Sequence, residues 1–204
     1  MLYISKLDLN YRSVRVRAEL ADPYQMHRSL SRAFGDGSEG WEGARCLFRV
    51  DQPSEGNDLW VIVQSRLRPE WDRLRLSAAY LAAPPRLKEW NPAFASGQRL
   101  AFRLRANPTV KREGKRHAIV REEEHLRWLD RKGEGSGFRV CDARAISERR
   151  IASTTSAGHS ATLSAVRFDG VILVTDPVTF AENLANGIGS GKAFGFGLLS
   201  VARR

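Results

Sequence analysis

The chain has 204 residues, 42% of them hydrophobic, which suffices for two domains of roughly 100 residues, and its 33 Lys and Arg against 23 Asp and Glu give a formal net charge of +10. Such an excess of positive charge is typical of proteins that bind nucleic acid or an anionic membrane surface. The longest apolar runs fall far short of the roughly 20 residues of a membrane helix, the first residues have no signal-peptide pattern, and the 2 cysteines cannot form a disulfide framework, so we expect a cytoplasmic protein.

Neither a metal site nor a small-molecule cofactor is expected from the sequence. The 4 histidines are scattered along the chain, and no set of cysteines and carboxylates accompanies them. The phosphate-binding sequence GxxxxGK[ST] does not occur, so nothing indicates a nucleoside triphosphate as substrate.

The first half of the chain predicts the order strand, helix, strand, strand, helix. Residues 1–9 favour a strand, and the alternation of apolar and charged residues at 14–20 predicts a second strand or an extended approach to the helix that follows. Asp22 and Pro23 have the chemistry of a helix start, and this helix is expected to run to about Phe34. Further along we expect strands at 45–50 and 59–65 and a short helix at 69–77.

The second half, beyond the turn-forming pair Pro84 and Pro85, predicts a similar order. Residues 99–105 alternate between apolar and basic side chains, as in a strand with one buried face. Asp169 and Gly170 predict the two-residue turn of a hairpin between strands at 162–168 and 171–175. The other expected elements are a helix at 122–132, a strand at 138–146, a mobile segment at 147–161, a helix from Asp176-Pro177 and a strand at 193–201.

Both halves therefore fit the order βαββαβ, although no sequence repeat links them. The expected fold class is α+β, with two tandem ferredoxin-like (RRM-like) domains. We place the first domain at 1–90, where it carries the helix that begins at Pro23. The second domain, at 98–204, carries a basic patch and a glycine-rich loop.

The helix that begins at Pro23 gathers groups suited to RNA cleavage. At roughly 100° per residue, Met26 and Leu30 face the core and His27 lies at the border. An imidazole can give or take a proton near neutral pH, and guanidinium groups can stabilise charge on a phosphoryl group. The alternative is a border histidine on an amphipathic helix with an ordinary basic face. The outward arc carries Tyr24, Arg28 and Arg32.

Two other segments have the composition of phosphate-binding surfaces. The first segment, residues 111–116, has four cations within six residues. This run of charge is either a phosphate-binding patch or an ordinary solvated surface. The second, the glycine-rich stretch 187–197 around Lys192, would let backbone amides approach a phosphate; the alternative is a tight helix-to-strand connection. Arg149 and Arg150 could extend the basic surface. The four clustered cations are Lys111, Arg112, Lys115 and Arg116.

Three segments together resemble the CasE-type CRISPR-associated endoribonucleases: 22–30, 104–116 and 187–201. The resemblance implies two ferredoxin-like domains and metal-independent cleavage of precursor CRISPR RNA on the 3′ side of the repeat stem-loop. It also implies that the enzyme stays on the product hairpin and joins the other subunits of the Cascade complex. By position in the motif, His27 would be the catalytic histidine and Tyr24 its partner. Arg32 would stabilise the phosphate, where some members of the family carry lysine.

Two other classes of protein stay open on the sequence. One is a non-catalytic RNA-binding module of RRM-like fold, whose usual aromatic pattern on the central strands is not found here. The other is a basic structural protein of a ribonucleoprotein particle, such as a ribosomal component.

Overall fold

The computed structural model describes residues 1–35, 43–52, 58–74, 79–154 and 160–203. Within them, no helix is both long and apolar enough to cross a membrane. The chain divides into two compact units. The domain bounds expected from the sequence, 1–90 and 98–204, stay a proposal. The first unit comprises Met1–Asn91, Ser153–Ser160 and Ala193–Gly195, and the second Pro92–Ala152, Ala161–Lys192 and Phe196–Arg204.

The first unit contains a four-stranded antiparallel sheet with the strand order β2-β3-β1-β4. Its core is apolar and gathers side chains such as Leu7, Phe48 and Val61, all fully buried. Short 3₁₀ turns lie at Arg32–Phe34 and Trp71–Leu74. The regular elements are β1 (Leu2–Asp8), α1 (Val14–Ala21), α2 (Pro23–Ser31), β2 (Leu47–Asp51), β3 (Trp60–Ser65) and β4 (Arg86–Trp90).

The second unit contains another four-stranded sheet, with the order β10-β5-β9-β8, and a separate two-stranded hairpin of β6 and β7. Its elements are β5 (Arg99–Ala106), β6 (Thr109–Arg112), β7 (Lys115–Ala118), α3 (Glu122–Glu134), β8 (Phe138–Thr154), β9 (Ser160–Val174), α4 (Pro177–Asn186) and β10 (Leu199–Arg203).

Both sheets place their first and third strands in the centre and their second and fourth strands at the edges. This is the strand order of a ferredoxin-like fold, so the predicted α+β class with two tandem ferredoxin-like units is confirmed. In the second unit, β6 and β7 are inserted between the first strand and the first helix. In the first unit, the 3₁₀ turn Trp71–Leu74 lies where a short helix is expected at 69–77, and residues 75–77 lie outside the described residues.

Two Asp-Pro pairs start helices, as the sequence predicts. The Asp22 carboxyl accepts a hydrogen bond from the Tyr24 amide at 3.2 Å, and Pro23 is the first residue of α2. In the same way the Asp176 carboxyl accepts from the amides of Val178 and Thr179 ahead of α4. Each carboxyl satisfies amides that the first helical turn leaves without an intrahelical acceptor.

The expectation of a strand or extended segment at 14–20 is wrong, because these residues form helix α1. The side chains that this helix buries are Val16 and Glu19, three positions apart, whereas Val14 is 73% exposed. A spacing of three residues lies on one helical face but on opposite faces of a strand. The buried carboxyl of Glu19 hides this period from a reading that counts apolar residues alone.

Three expectations in the second half are also wrong or incomplete. Asp169 and Gly170 form no turn, because β9 runs unbroken through them. A Cβ atom on Gly170 would come within 2.1 Å of the Asp142 carbonyl oxygen. The glycine therefore permits the close approach of a neighbouring strand. The segment expected to be mobile, 147–161, supplies the end of β8 and the start of β9, and 155–159 lies outside the described residues. The last strand starts at Leu199, later than expected.

The two-residue turn is found instead between β6 and β7. Glu113 and Gly114 both have positive φ, 48° and 77°, as a type I′ turn requires. Because this turn closes a hairpin, the run of basic residues around it is ordered by strand pairing.

Candidate functional site

Helix α2 has one face in the core and one at the surface. Met26 and Leu30 are 0% and 2% exposed and pack among the apolar side chains of the first unit, as the helical period predicts. Because 27 follows 26 by about 100° around the helix axis, His27 lies at the margin of the buried face and is half-buried.

The ring of His27 stacks with that of Tyr24, three residues earlier on α2. Their centroids are 5.6 Å apart and the ring planes differ by 29°. The ring of Phe194, in the 3₁₀ turn Lys192–Phe194, has its centroid 5.9 Å from that of the Tyr24 ring. The sequence analysis missed Phe194, although an aromatic residue amid glycines was a signal that this segment packs against another ring.

Burial lowers the pKa of His27 from 6.5 to about 4. The sequence alone suggested an ordinary value near 6.5. With the lower pKa the imidazole is neutral at pH 7, so it can act there as a proton acceptor but not as a donor from a charged form.

The two arginines of the predicted site lie on the outer side of the same chain segment. Arg28 is exposed, and its Nη1 donates to Gln25 Oε1 at 3.3 Å, one turn back on the helix. Arg32 is exposed in the 3₁₀ turn that continues α2. Neither guanidinium is drawn into the core, so both remain accessible to an anion.

The hairpin β6–β7 collects the basic patch. Lys111 lies directly opposite Arg116, and Arg112 lies opposite Lys115. Lys111, Arg112 and Arg116 are exposed. Like charges directly opposite each other on a hairpin are destabilising on their own. An anion bound along the hairpin would remove that repulsion.

Lys192 and the glycine-rich stretch are more involved in the protein itself than the sequence suggests. Lys192 is half-buried, and its Nζ donates to the Gly189 carbonyl oxygen at 3.0 Å. The amides of Gly187 and Gly197, both at positive φ, donate to the carbonyls of Asn183 and Arg105. These amides are therefore occupied, and the role of a tight helix-to-strand connection accounts for this part of the stretch.

Arg149 and Arg150 both lie in β8, an edge strand of the second sheet, and Arg150 is exposed. The described residues contain no group of three or more His, Cys, Asp or Glu side chains arranged to hold a metal ion. A residue that the sequence analysis missed is Glu19, whose carboxyl is buried behind α2; its spacing of four from Arg15, typical of a helical ion pair, was the available signal.

Fold and site together define a basic, tandem ferredoxin-like protein with a half-buried histidine at the margin of its first core. Comparison with known proteins agrees with that class. A protein-family model described as "CRISPR associated protein" matches residues 2–203. The chain belongs to this family of CRISPR-associated proteins, and its resemblance to the CasE-type endoribonucleases is confirmed.

Two characterised relatives span essentially the whole chain. The CRISPR-associated endoribonuclease Cse3 of Thermus thermophilus is 37% identical over 98% of this chain and 100% of its own length. The Cascade subunit CasE of Escherichia coli is 30% identical over 98% and 99%.

Solved structures give the same result. A CRISPR endoribonuclease Cse3 bound to a 19-nucleotide RNA superposes with a TM-score of 0.86 at 36% identity, over 98% of this chain and 99% of the other. Cas6e of Escherichia coli superposes with a TM-score of 0.71 at 28% identity, over 99% and 100%.

The lowered pKa of His27 predicts a pH-dependent stability. In the unfolded chain His27 takes up a proton near pH 6.5, but in the folded protein only near pH 4. Its contribution is therefore fully present above pH 6.5 and is lost as the pH falls toward 4. From pH 7 to 4.5 the free energy of unfolding should fall by about 2 to 3 kcal/mol more in the wild type than in His27→Phe, which keeps a ring but cannot titrate.

Urea unfolding of both proteins at the two pH values measures this difference. The carboxyl groups are common to both proteins, so their titration cancels. Equal pH dependence in the two proteins would show that the folded state does not disfavour the charged imidazole.

Proposed function

We propose that this protein is a metal-independent endoribonuclease that binds the repeat stem-loop of precursor CRISPR RNA and cleaves it on the 3′ side by attack of the RNA's own 2′-hydroxyl. The observation that carries the proposal is the neutral, half-buried imidazole of His27, stacked on Tyr24 beside accessible guanidiniums. The proposal is supported by relatives named as CRISPR endoribonucleases, one of them in a structure described as a pre-cleavage complex with RNA.

In this reaction His27 accepts the proton of the 2′-hydroxyl. The 2′-oxygen then bonds to the adjacent phosphorus, and the bond from phosphorus to the 5′-oxygen breaks. The leaving oxygen takes up a proton from water, which gives a 2′,3′-cyclic phosphate on one product and a 5′-hydroxyl on the other. A neutral imidazole at pH 7 suits the first step, because only the unprotonated ring can act as the base.

Charge develops on the phosphoryl oxygens as the 2′-oxygen attacks. Arg32 and Arg28 offer guanidiniums on the outer side of the segment that carries His27, and either can stabilise this charge. No proton transfer is assigned to Tyr24. Its role is to hold the imidazole by ring stacking and to donate a hydrogen bond to a phosphoryl oxygen.

Binding of the stem-loop is assigned to cations of the second unit. The hairpin β6–β7 supplies Lys111, Arg112, Lys115 and Arg116, and β8 supplies Arg149 and Arg150. Lys192 has its ammonium on a backbone carbonyl and contributes a fixed positive charge. After cleavage the protein stays on the product hairpin and joins other Cascade subunits. This last step is supported by the name of one relative, a Cascade subunit.

The nucleophile is tested on the RNA. A repeat RNA with a single 2′-deoxy nucleotide before the cleavage site should bind with unchanged affinity and remain uncut, because the attacking oxygen is missing. The matched control carries the 2′-deoxy substitution one nucleotide further upstream and should be cut at the normal rate. Both RNAs are assayed in EDTA. Cutting of the RNA that lacks the 2′-hydroxyl before the cleavage site would mean that water is the nucleophile. If unmodified RNA is bound but not cut, a non-catalytic RNA-binding protein is favoured.

Substitution of His27 tests the base. His27→Ala should lower the single-turnover cleavage rate at least about a hundredfold, since general base catalysis is typically worth about 10² to 10⁴. RNA affinity should change little, and Tyr24→Phe should cost less. Val14→Ala, at a position of the neighbouring helix α1 that is 73% exposed, serves as the control and should cut normally. A wild-type rate in His27→Ala, with enzyme in excess, would reduce the histidine to a packing residue.

Salt dependence tests the basic hairpin. The logarithm of RNA affinity should fall linearly with the logarithm of salt concentration, with a slope of about −0.7 to −0.9 per phosphate contacted. Replacing Lys111, Arg112, Lys115 and Arg116 by Ala should make that slope shallower. Replacing two exposed arginines of α3, Arg127 and Arg131, should leave it unchanged. The same slope in the hairpin variant would show a merely solvated run of charge.

A further inference from the structure

A buried carboxyl lies behind the helix that carries His27. Glu19 of α1 is only 4% exposed. Its Oε1 accepts hydrogen bonds from Ser29 Oγ at 2.6 Å and from Arg15 Nε at 2.9 Å. Its Oε2 accepts one from the hydroxyl of Tyr80. Three donors therefore converge on one carboxyl.

The donors come from three separate parts of the first unit. Arg15 is on α1 itself, Tyr80 precedes β4, and Ser29 is on α2, two residues after His27. The Ser29 hydroxyl also accepts from Arg15 Nη2 at 2.8 Å. Burial, together with the adjacent Glu19, raises the pKa of the Tyr80 phenol, which favours the protonated hydroxyl that donates to Glu19.

This cluster constrains α2 in a way that its apolar contacts do not. The hydrophobic effect that drives burial of Met26 and Leu30 is non-directional. Hydrogen bonds weaken steeply when their angle departs from linearity. A carboxyl that loses a donor in the interior is costly. The bond from Ser29 to Glu19 is thus satisfied at only one rotation of α2 about its axis, and that rotation sets where His27 emerges.

We propose that Glu19 is a positioning residue for His27: through Ser29 it fixes the rotation of α2, while Tyr80 and Arg15 hold the Glu19 carboxyl in place. The proposal rests on the proposed function of His27. Displacing a reacting group by about 1 Å can slow a reaction by about 10²-fold. A rotated helix would therefore lower cleavage although neither Glu19 nor Ser29 touches the RNA.

The test compares Glu19→Gln and Tyr80→Phe with Val63→Ala. Glu19→Gln keeps the shape but presents an amide to donors that need an acceptor, and Tyr80→Phe removes one donor. Val63 is buried in the same core on β3, so Val63→Ala provides a destabilised protein that leaves the cluster intact. All are assayed well below their melting temperatures, by single-turnover cleavage, RNA affinity and NMR of ¹³C-labelled histidine. The chain has 4 histidines, and the spectrum of His27→Ala identifies the His27 signal.

Glu19→Gln should slow cleavage at least tenfold, change RNA affinity less than twofold and shift the His27 imidazole signal and its titration. Tyr80→Phe should produce a smaller change of the same kind, and it decides the matter if Glu19→Gln does not fold. Val63→Ala should leave both rate and signal as in the wild type. A slowed rate with an unmoved His27 signal, or a rate within twofold of Val63→Ala, overturns the proposal.

Failure of the proposed function has a different signature. If the wild-type protein cuts no repeat RNA, the endoribonuclease assignment fails, and the His27 signal alone then decides whether Glu19 holds the helix. A shifted signal in Glu19→Gln would retain the structural link, and an unshifted one would remove it.

Discussion

Burial of one face of α2 determines the chemistry available on its other face. Met26 and Leu30 are withdrawn almost completely from water, and each such side chain stabilises the fold by roughly 1.5 to 3 kcal/mol. Because the helical period is fixed, this burial also draws the adjacent His27 partly out of water. Loss of hydration lowers the pKa of the imidazole to about 4, so the packing that holds the helix also keeps the imidazole neutral at pH 7.

The basic hairpin of the second unit shows the opposite relation between stability and function. Strand pairing sets Lys111 against Arg116, an arrangement that costs folding energy. The turn adds strain, because Glu113 is a non-glycine residue with φ of 48°. A hairpin selected for stability alone would alternate the sign of its charges. Repulsion between the strands is instead what an extended polyanion would relieve, and this favours the hairpin as a nucleic-acid surface.

Features governed by local chemistry were predictable from the sequence, and those set by distant contacts were not. Asp22-Pro23 predicts the start of α2 because the capping carboxyl and the proline both act within the first helical turn. The helical face of α1 was hidden because its decisive buried residue is Glu19, whose partner Tyr80 lies 61 positions away. Asp169-Gly170 has the composition of a turn, yet Gly170 is needed because the backbone of Asp142 on another strand comes too close for a Cβ atom. The stack of His27 on Tyr24 follows from helical spacing, whereas the contact of Tyr24 with Phe194 needs the fold.

A base with a low pKa has a cost, since a weaker base accepts a proton less readily. In the proposed function the phosphodiester would offset this cost, because a negative charge close to the imidazole favours the protonated form and raises its pKa. The histidine would thus be neutral while the site is empty and would become a stronger base only when a phosphate lies beside it. The ring of Tyr24, stacked on the imidazole, would hold it in place through that change. Under the proposed function, the basicity of the site would therefore be set jointly by the core behind His27 and by the anion bound in front of it.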